Sequence, residues 1–77
     1  MSITVYSTPT CPFCLQLKKY LDEQKIEYAN IDVSSSQEKA QEMIQKSGQM
    51  GVPVTDIDGQ IVIGFDKEKL NELLDIH

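Results

Sequence analysis

A chain of 77 residues is enough for one small domain, expected here to span 1–77 as a single core without linker or repeat. A hydrophobic fraction of 40% and a charged fraction of 25% exclude a disordered chain. The net charge of −5, with no Arg at all, excludes a general nucleic-acid binder and a basic membrane-surface helix, both of which need clustered cations.

In chain order, Ile3 and Val5 alternate with Thr4 and Tyr6, which predicts a strand over Ser2–Ser7. Ser7-Thr8-Pro9-Thr10 breaks it. Pro12 then suits the first turn of a helix with Cys11 as its N-cap, and Leu15, Leu17, Tyr20 and Leu21 supply apolar groups at helical spacing. That helix should end near Gln24 or Lys25. A second strand is expected over Glu27–Asp32, followed by the turn-rich Ser34-Ser35-Ser36. Ser35 and Glu38 read as a capping box opening a second helix, with Ala40, Met43 and Ile44 on its buried face and Gly48 as a left-handed C-cap. Val52–Ile57 and Gln60–Ile63 read as strands joined by an Asp58-Gly59 hairpin turn. Asp66 should cap a last helix over Lys67–Asp75, its Leu70, Leu73 and Leu74 turned inward.

The order β-α-β-α-β-β-α implies an α/β fold. A crossover connection makes the first two strands parallel, and the hairpin adds an antiparallel pair. The result is a four-stranded mixed sheet with three flanking helices, and Cys11 falls just beyond the end of the first strand, where such sheets place chemistry.

Two cysteines separated by two residues are the compositional oddity. A bridge closing so short a loop constrains little chain, so a structural staple is a poor reading. Zinc needs four ligands, and the remaining candidate is His77, so no metal is expected. A thiol exchanges disulfides as its thiolate. At a helix N-cap, the sulfur of Cys11 would face the N–H groups of Phe13 and Cys14 and the positive end of the helix dipole, lowering its pKa from ~8.5 toward about 7 or less. Cys14, one turn later, sits deeper. Cys11 is therefore the expected nucleophile and Cys14 the resolving thiol. Pro12 stiffens the turn, and Phe13 is read equally as a docking surface and as a packing residue. The start of the chain has neither the basic nor the long apolar stretch of a signal peptide, and Ile61-Val62-Ile63 is too short to cross a bilayer. A cytoplasmic monomer is expected.

At this point the sequence resembles a glutaredoxin, across essentially the whole chain. Cys11-Pro12-Phe13-Cys14 resembles the family's C-P-Y-C motif, and Ser47-Gly48-Gln49-Met50-Gly51-Val52-Pro53 resembles its T-G-x-x-T-V-P segment. Asp58-Gly59 occupies the family's hairpin, and Gly64-Phe65-Asp66 falls where the family carries Gly-Gly before acidic residues. The resemblance implies the thioredoxin fold, a cis Val52–Pro53 bond, and glutathione as co-substrate in a groove formed by Phe13, Gln49, Val52, Pro53, Gly64, Phe65 and Asp66. In that groove the cysteinyl backbone of glutathione would pair with Val52. Its glutamyl carboxylate would meet the start of the last helix near Phe65 and Asp66. Asp66 would either pair with the glutamyl ammonium or simply cap the helix.

Two departures bear on the electron donor. The family's cations before the first cysteine and before the T-V-P segment are replaced by Thr8-Pro9-Thr10 and Met50. Gln49 or Lys18 would have to meet the glycyl carboxylate. Gly64-Phe65 resembles instead the small redoxins that are recharged by thioredoxin reductase and feed ribonucleotide reductase. The reading is a dithiol oxidoreductase acting on protein disulfides and glutathione mixed disulfides. The alternatives are a redoxin recharged by thioredoxin reductase and a carrier of a 2Fe-2S cluster shared across a dimer, against which Pro12 argues.

Overall fold

The structure is a computed structural model describing residues 2–75. Met1, Ile76 and His77 lie outside the described residues, and with His77 the histidine weighed above as a ligand. The elements are β1 (Ile3–Ser7), α1 (Pro12–Glu23), β2 (Ala29–Asp32), α2 (Gln37–Ser47), β3 (Val54–Ile57), β4 (Gln60–Ile63) and α3 (Lys67–Leu74). The sheet order is β2-β1-β3-β4, with β1 parallel to β2, β3 antiparallel to β1, and β4 antiparallel to β3. This is the four-stranded mixed sheet expected from the order of elements.

Side-chain alternation along the strands builds two cores. On one face Ile3, Val5, Ile57 and Val62 pack with Leu17, Tyr20 and Leu21 of α1 and Leu70 of α3. On the other face Tyr6 and Val54 pack with Met43 of α2. Each large side chain taken out of water contributes about 1.5–3 kcal/mol, so these layers hold the sheet between its helices. Across the second face, Tyr6 Oη donates to Glu42 Oε2 at 2.6 Å. Lys46 Nζ donates to both Tyr6 Oη and Asp56 Oδ2 at 3.0 Å, tying α2 to β1 and β3.

The helix ends follow local chemistry. After α1, Lys25 takes a left-handed φ of 57°. Its N–H donates to the Asp22 carbonyl, and that of Ile26 donates to the Leu21 carbonyl. This is a Schellman closure, completed by Ile26 packing on the core beside Leu21. Gly48 closes α2 at φ 76°, as expected. The N-cap of α2 is Ser36, not Ser35: the Lys39 N–H donates to Ser36 Oγ at 3.3 Å. Ser35 is already committed to the preceding turn, where its Oγ donates to the Asp32 carbonyl at 3.0 Å. The box with Glu38 therefore does not form.

Three further expectations shift. Strand β2 starts at Ala29 rather than Glu27, because the residues after α1 complete its closure before the chain can pair with β1. Strand β3 starts at Val54 rather than Val52, because the Val52–Pro53 bond is cis and Pro53 has no N–H for the ladder. Leu15, named among the apolar groups at helical spacing on α1, is exposed; Cys14 is buried with Leu17, Tyr20 and Leu21 instead.

Candidate active site

The end of β1 delivers the chain to Thr8-Pro9-Thr10, and the N–H of Cys11 donates back to the Thr8 carbonyl at 3.4 Å. Cys11 has extended backbone angles (φ −89°, ψ 115°), Pro12 stands in the first turn, and the Leu15 N–H donates to the Cys11 carbonyl at 3.1 Å. Cys11 is thus the N-cap of α1. A sulfur at this position meets helix N–H groups that have no partner within the helix. The Cys14 N–H donates to Cys11 Sγ at 3.3 Å.

The two thiols are free and unequally placed: Cys11 is partly exposed and Cys14 is buried. Their acidities diverge accordingly. Desolvation pushes the Cys11 pKa up, but the hydrogen bond from the Cys14 thiol, the N–H groups of Cys14 and Phe13, and the charge of Lys18 outweigh it and hold Cys11 below the ordinary thiol value. Desolvation pushes Cys14 up to about 11, reinforced by its hydrogen bond to Cys11 and the charge there, and only partly offset by the Thr8 backbone and Lys18.

The second strand of the site comes from the loop before β3. The cis Val52–Pro53 peptide brings the Val52 carbonyl to 3.8 Å from Cys11 Sγ, where it accepts the S–H. The Pro53 carbonyl in turn accepts the Gly64 N–H at 2.9 Å. Cys11, Cys14, Val52, Pro53 and Gly64 are therefore joined in one connected cluster, in which Cys14 and Pro53 are buried. Gly64 sits at φ 73°, a left-handed turn that a side chain would strain.

The remaining residues named from the sequence take different postures. Phe13 is 60% exposed, which removes the packing reading for it. Gln49 folds its amide toward Gly51, 3.5 Å from where a Cβ there would lie, and its backbone bonds to Ser47 Oγ through both N–H and carbonyl. Phe65 turns back to the core, its ring 5.9 Å from that of Tyr20. Asp66 caps α3, accepting the Lys69 N–H at 3.1 Å.

Lys18 went unread as a partner of the sulfurs, although its spacing carries the signal. It stands four residues after Cys14 and seven after Cys11 on α1. Those intervals return a helix to the same side.

The glutaredoxin family model matches residues 3–62 of the chain. The chain is 41% identical over 73 residues to an uncharacterized glutaredoxin-like 8.6 kDa protein in the rubredoxin operon of Clostridium pasteurianum, covering 95% of this chain and 97% of that one. It is 40% identical over 78 residues to glutaredoxin 1 of Rickettsia conorii, with 94% and 76% covered. Among solved structures, a mutant of the thioredoxin-like protein BC3987 superposes with a TM-score of 0.93 at 33% identity, covering 99% of this chain and 97% of the other.

Proposed function

The chain belongs to the glutaredoxin family, and from that premise we propose that it is a dithiol oxidoreductase in which Cys11 attacks disulfides, Cys14 resolves them, and glutathione restores the pair. The observation that carries this reading is the asymmetry of the two thiols. Cys11 is accessible with its thiolate favoured, and Cys14 is buried with its pKa raised to about 11.

The exchange balances as follows. The Cys11 thiolate forms a bond to one sulfur of the substrate disulfide, and the substrate's other sulfur leaves as a thiolate that takes a proton from water. Cys14 then loses its proton and attacks Cys11 Sγ, releasing the second substrate thiol and leaving a Cys11–Cys14 disulfide. Two electrons have moved to the substrate. Two glutathione molecules return them: the first forms a mixed disulfide at Cys11 and frees Cys14, and the second releases oxidised glutathione.

Local groups support each stage. As a thiolate, Cys11 no longer donates to the Val52 carbonyl, which becomes available to the backbone of an incoming peptide. In the mixed disulfide Cys11 carries no charge, so one cause of the raised Cys14 pKa disappears when Cys14 must react. The groove proposed for glutathione comprises Phe13, Gln49, Val52, Pro53, Gly64, Phe65 and Asp66.

A second reading rests on the departures at Thr8-Pro9-Thr10, Met50 and Phe65. No cation stands in the first two places, Met50 is exposed, and Phe65 is folded onto Tyr20. Such a rim suits recharging by thioredoxin reductase, with the same chemistry at Cys11. The deciding experiment is turnover of a glutathione mixed disulfide with glutathione and glutathione reductase. Robust turnover supports the glutathione reading. No turnover, alongside reduction by thioredoxin reductase and NADPH, transfers the assignment to the second. Failure with both donors overturns the oxidoreductase reading itself.

A further inference from the structure

The loop that brings Val52 to Cys11 leaves α2 at Ser47 and reaches β3 after Pro53, with Gly48 and Gly51 within it. Glycines leave such a segment many conformations, so its ends must be held if the Val52 carbonyl is to stay 3.8 Å from Cys11 Sγ. The far end is fixed by the sheet, where Val54 is the Cα partner of Tyr6. The near end depends on α2, of whose side chains Met43 is the buried one.

Lys46 stands just before the loop. Its ammonium donates to Tyr6 Oη and to Asp56 Oδ2, each at 3.0 Å, and lies 5.5 Å from the centre of the Tyr6 ring. Lys46 and Asp56 are 10 residues apart and bracket the loop. Both acceptors are themselves held. Tyr6 is buried and donates to Glu42 Oε2 at 2.6 Å, and Asp56 uses its other oxygen to accept the Gly59 N–H at 2.7 Å. The bonds to Tyr6 and then to Asp56 push the Lys46 pKa up, so the ammonium keeps its charge. The Lys46 side chain is 41% exposed and that of Asp56 16%. A pair so placed adds little to global stability, and its consequence is local.

Resting on the thiol-exchange reading above, we propose that Lys46 is a positioning residue: by tying the end of α2 to β1 and β3 it holds the Val52 carbonyl beside Cys11, and so sets the rate with substrates that pair their backbone there. It acts through the loop and not on the sulfurs, whose acidity responds to the charge of Lys18. Tyr6 and Asp56 serve as its anchors. The bracket therefore matters for a peptide disulfide and is of no consequence for a disulfide without a backbone.

The test compares two substrates in single-turnover quenched flow with the reduced protein. One is the disulfide-linked dimer of the uncharged peptide Ser-Gly-Cys-Gly-Ser, and the other is hydroxyethyl disulfide. In Lys46→Met the second-order rate with the peptide should fall roughly three- to tenfold, the worth of one backbone hydrogen bond that is no longer preorganised. The rate with hydroxyethyl disulfide should change by less than about twofold. Asp56→Asn should show the same split, and the Lys46→Met, Asp56→Asn double variant should be no slower than the worse single one, because both remove one bond. Lys46→Arg, which keeps a cation with donors for both acceptors, should recover most of the peptide rate. An unchanged peptide rate in Lys46→Met, or an equal fall with both substrates, would overturn the positioning role while leaving thiol exchange intact. No reaction of the unaltered protein with either disulfide would overturn both.

Discussion

The sulfur of Cys11 accepts the backbone N–H of Cys14 at 3.3 Å, so the first thiol is hydrogen-bonded by the very residue that carries the second. The same turn of helix stabilises one sulfur as an anion and buries the other as a thiol. Attack and resolution are separated by depth, not by distance along the chain.

Replacing Cys11 by Ser should abolish exchange altogether. Replacing Cys14 by Ser should trap a glutathione adduct on Cys11 that mass spectrometry resolves, because the resolving thiol is gone. Deglutathionylation, which needs Cys11 and a second glutathione alone, should persist in the Cys14 variant. Equal loss of dithiol and monothiol activity would show a larger role for Cys14.

The rate of iodoacetamide alkylation should titrate in two well-separated steps. Thiolates react and thiols do not, so reactivity at Cys11 should rise through a midpoint below the ordinary ~8.5. That at Cys14 should rise near its pKa of about 11. Lys18→Gln removes a positive charge that favours both thiolates, so both midpoints should move upward. Peptide mapping after alkylation at a series of pH values assigns each step to its residue, and an unmoved Cys11 midpoint would take Lys18 out of the site.

Leu17 and Leu15 test the register of α1. Leu17 is fully buried against β1 and α3, and Leu17→Ala should cost about 2–5 kcal/mol in urea unfolding. Leu15→Ala, at an exposed position, should stay within roughly 0.5 kcal/mol. Similar losses at both positions would contradict the observed helix face.

Ser36→Ala removes the acceptor of the Lys39 N–H and should cost about 0.5–2 kcal/mol. Ser35→Ala loses a solvent-exposed bond to the Asp32 carbonyl and should cost less. Chemical denaturation of the pair distinguishes the two caps, and the reverse order would restore Ser35 to that role.

Much of this was legible in the sequence because it depends on local chemistry. Pro12 behind Cys11, Gly48 after α2, Asp58-Gly59 between β3 and β4, and Asp66 before α3 each act within a few residues, and each performs as read. The errors arose where one local candidate competed with another. Ser35 and Ser36 are equivalent as caps until the turn at Asp32 takes the hydroxyl of Ser35. Leu15 fits helical spacing until the depth of Cys14 fixes which stripe of α1 is covered.

By itself, the sequence determined the order of elements, the helix cap at Cys11 and the order of the two cysteines on that turn, since hydrogen bonding and periodicity over a few residues suffice for these. The tertiary structure alone decided how unequal the thiols are. Full burial of Cys14, the approach of the Val52 carbonyl to Cys11 from 41 residues away, and the Gly64 bond to Pro53 all require long-range closure of the chain. Desolvation is a property of what surrounds a group in space, and no spacing along the chain encodes it.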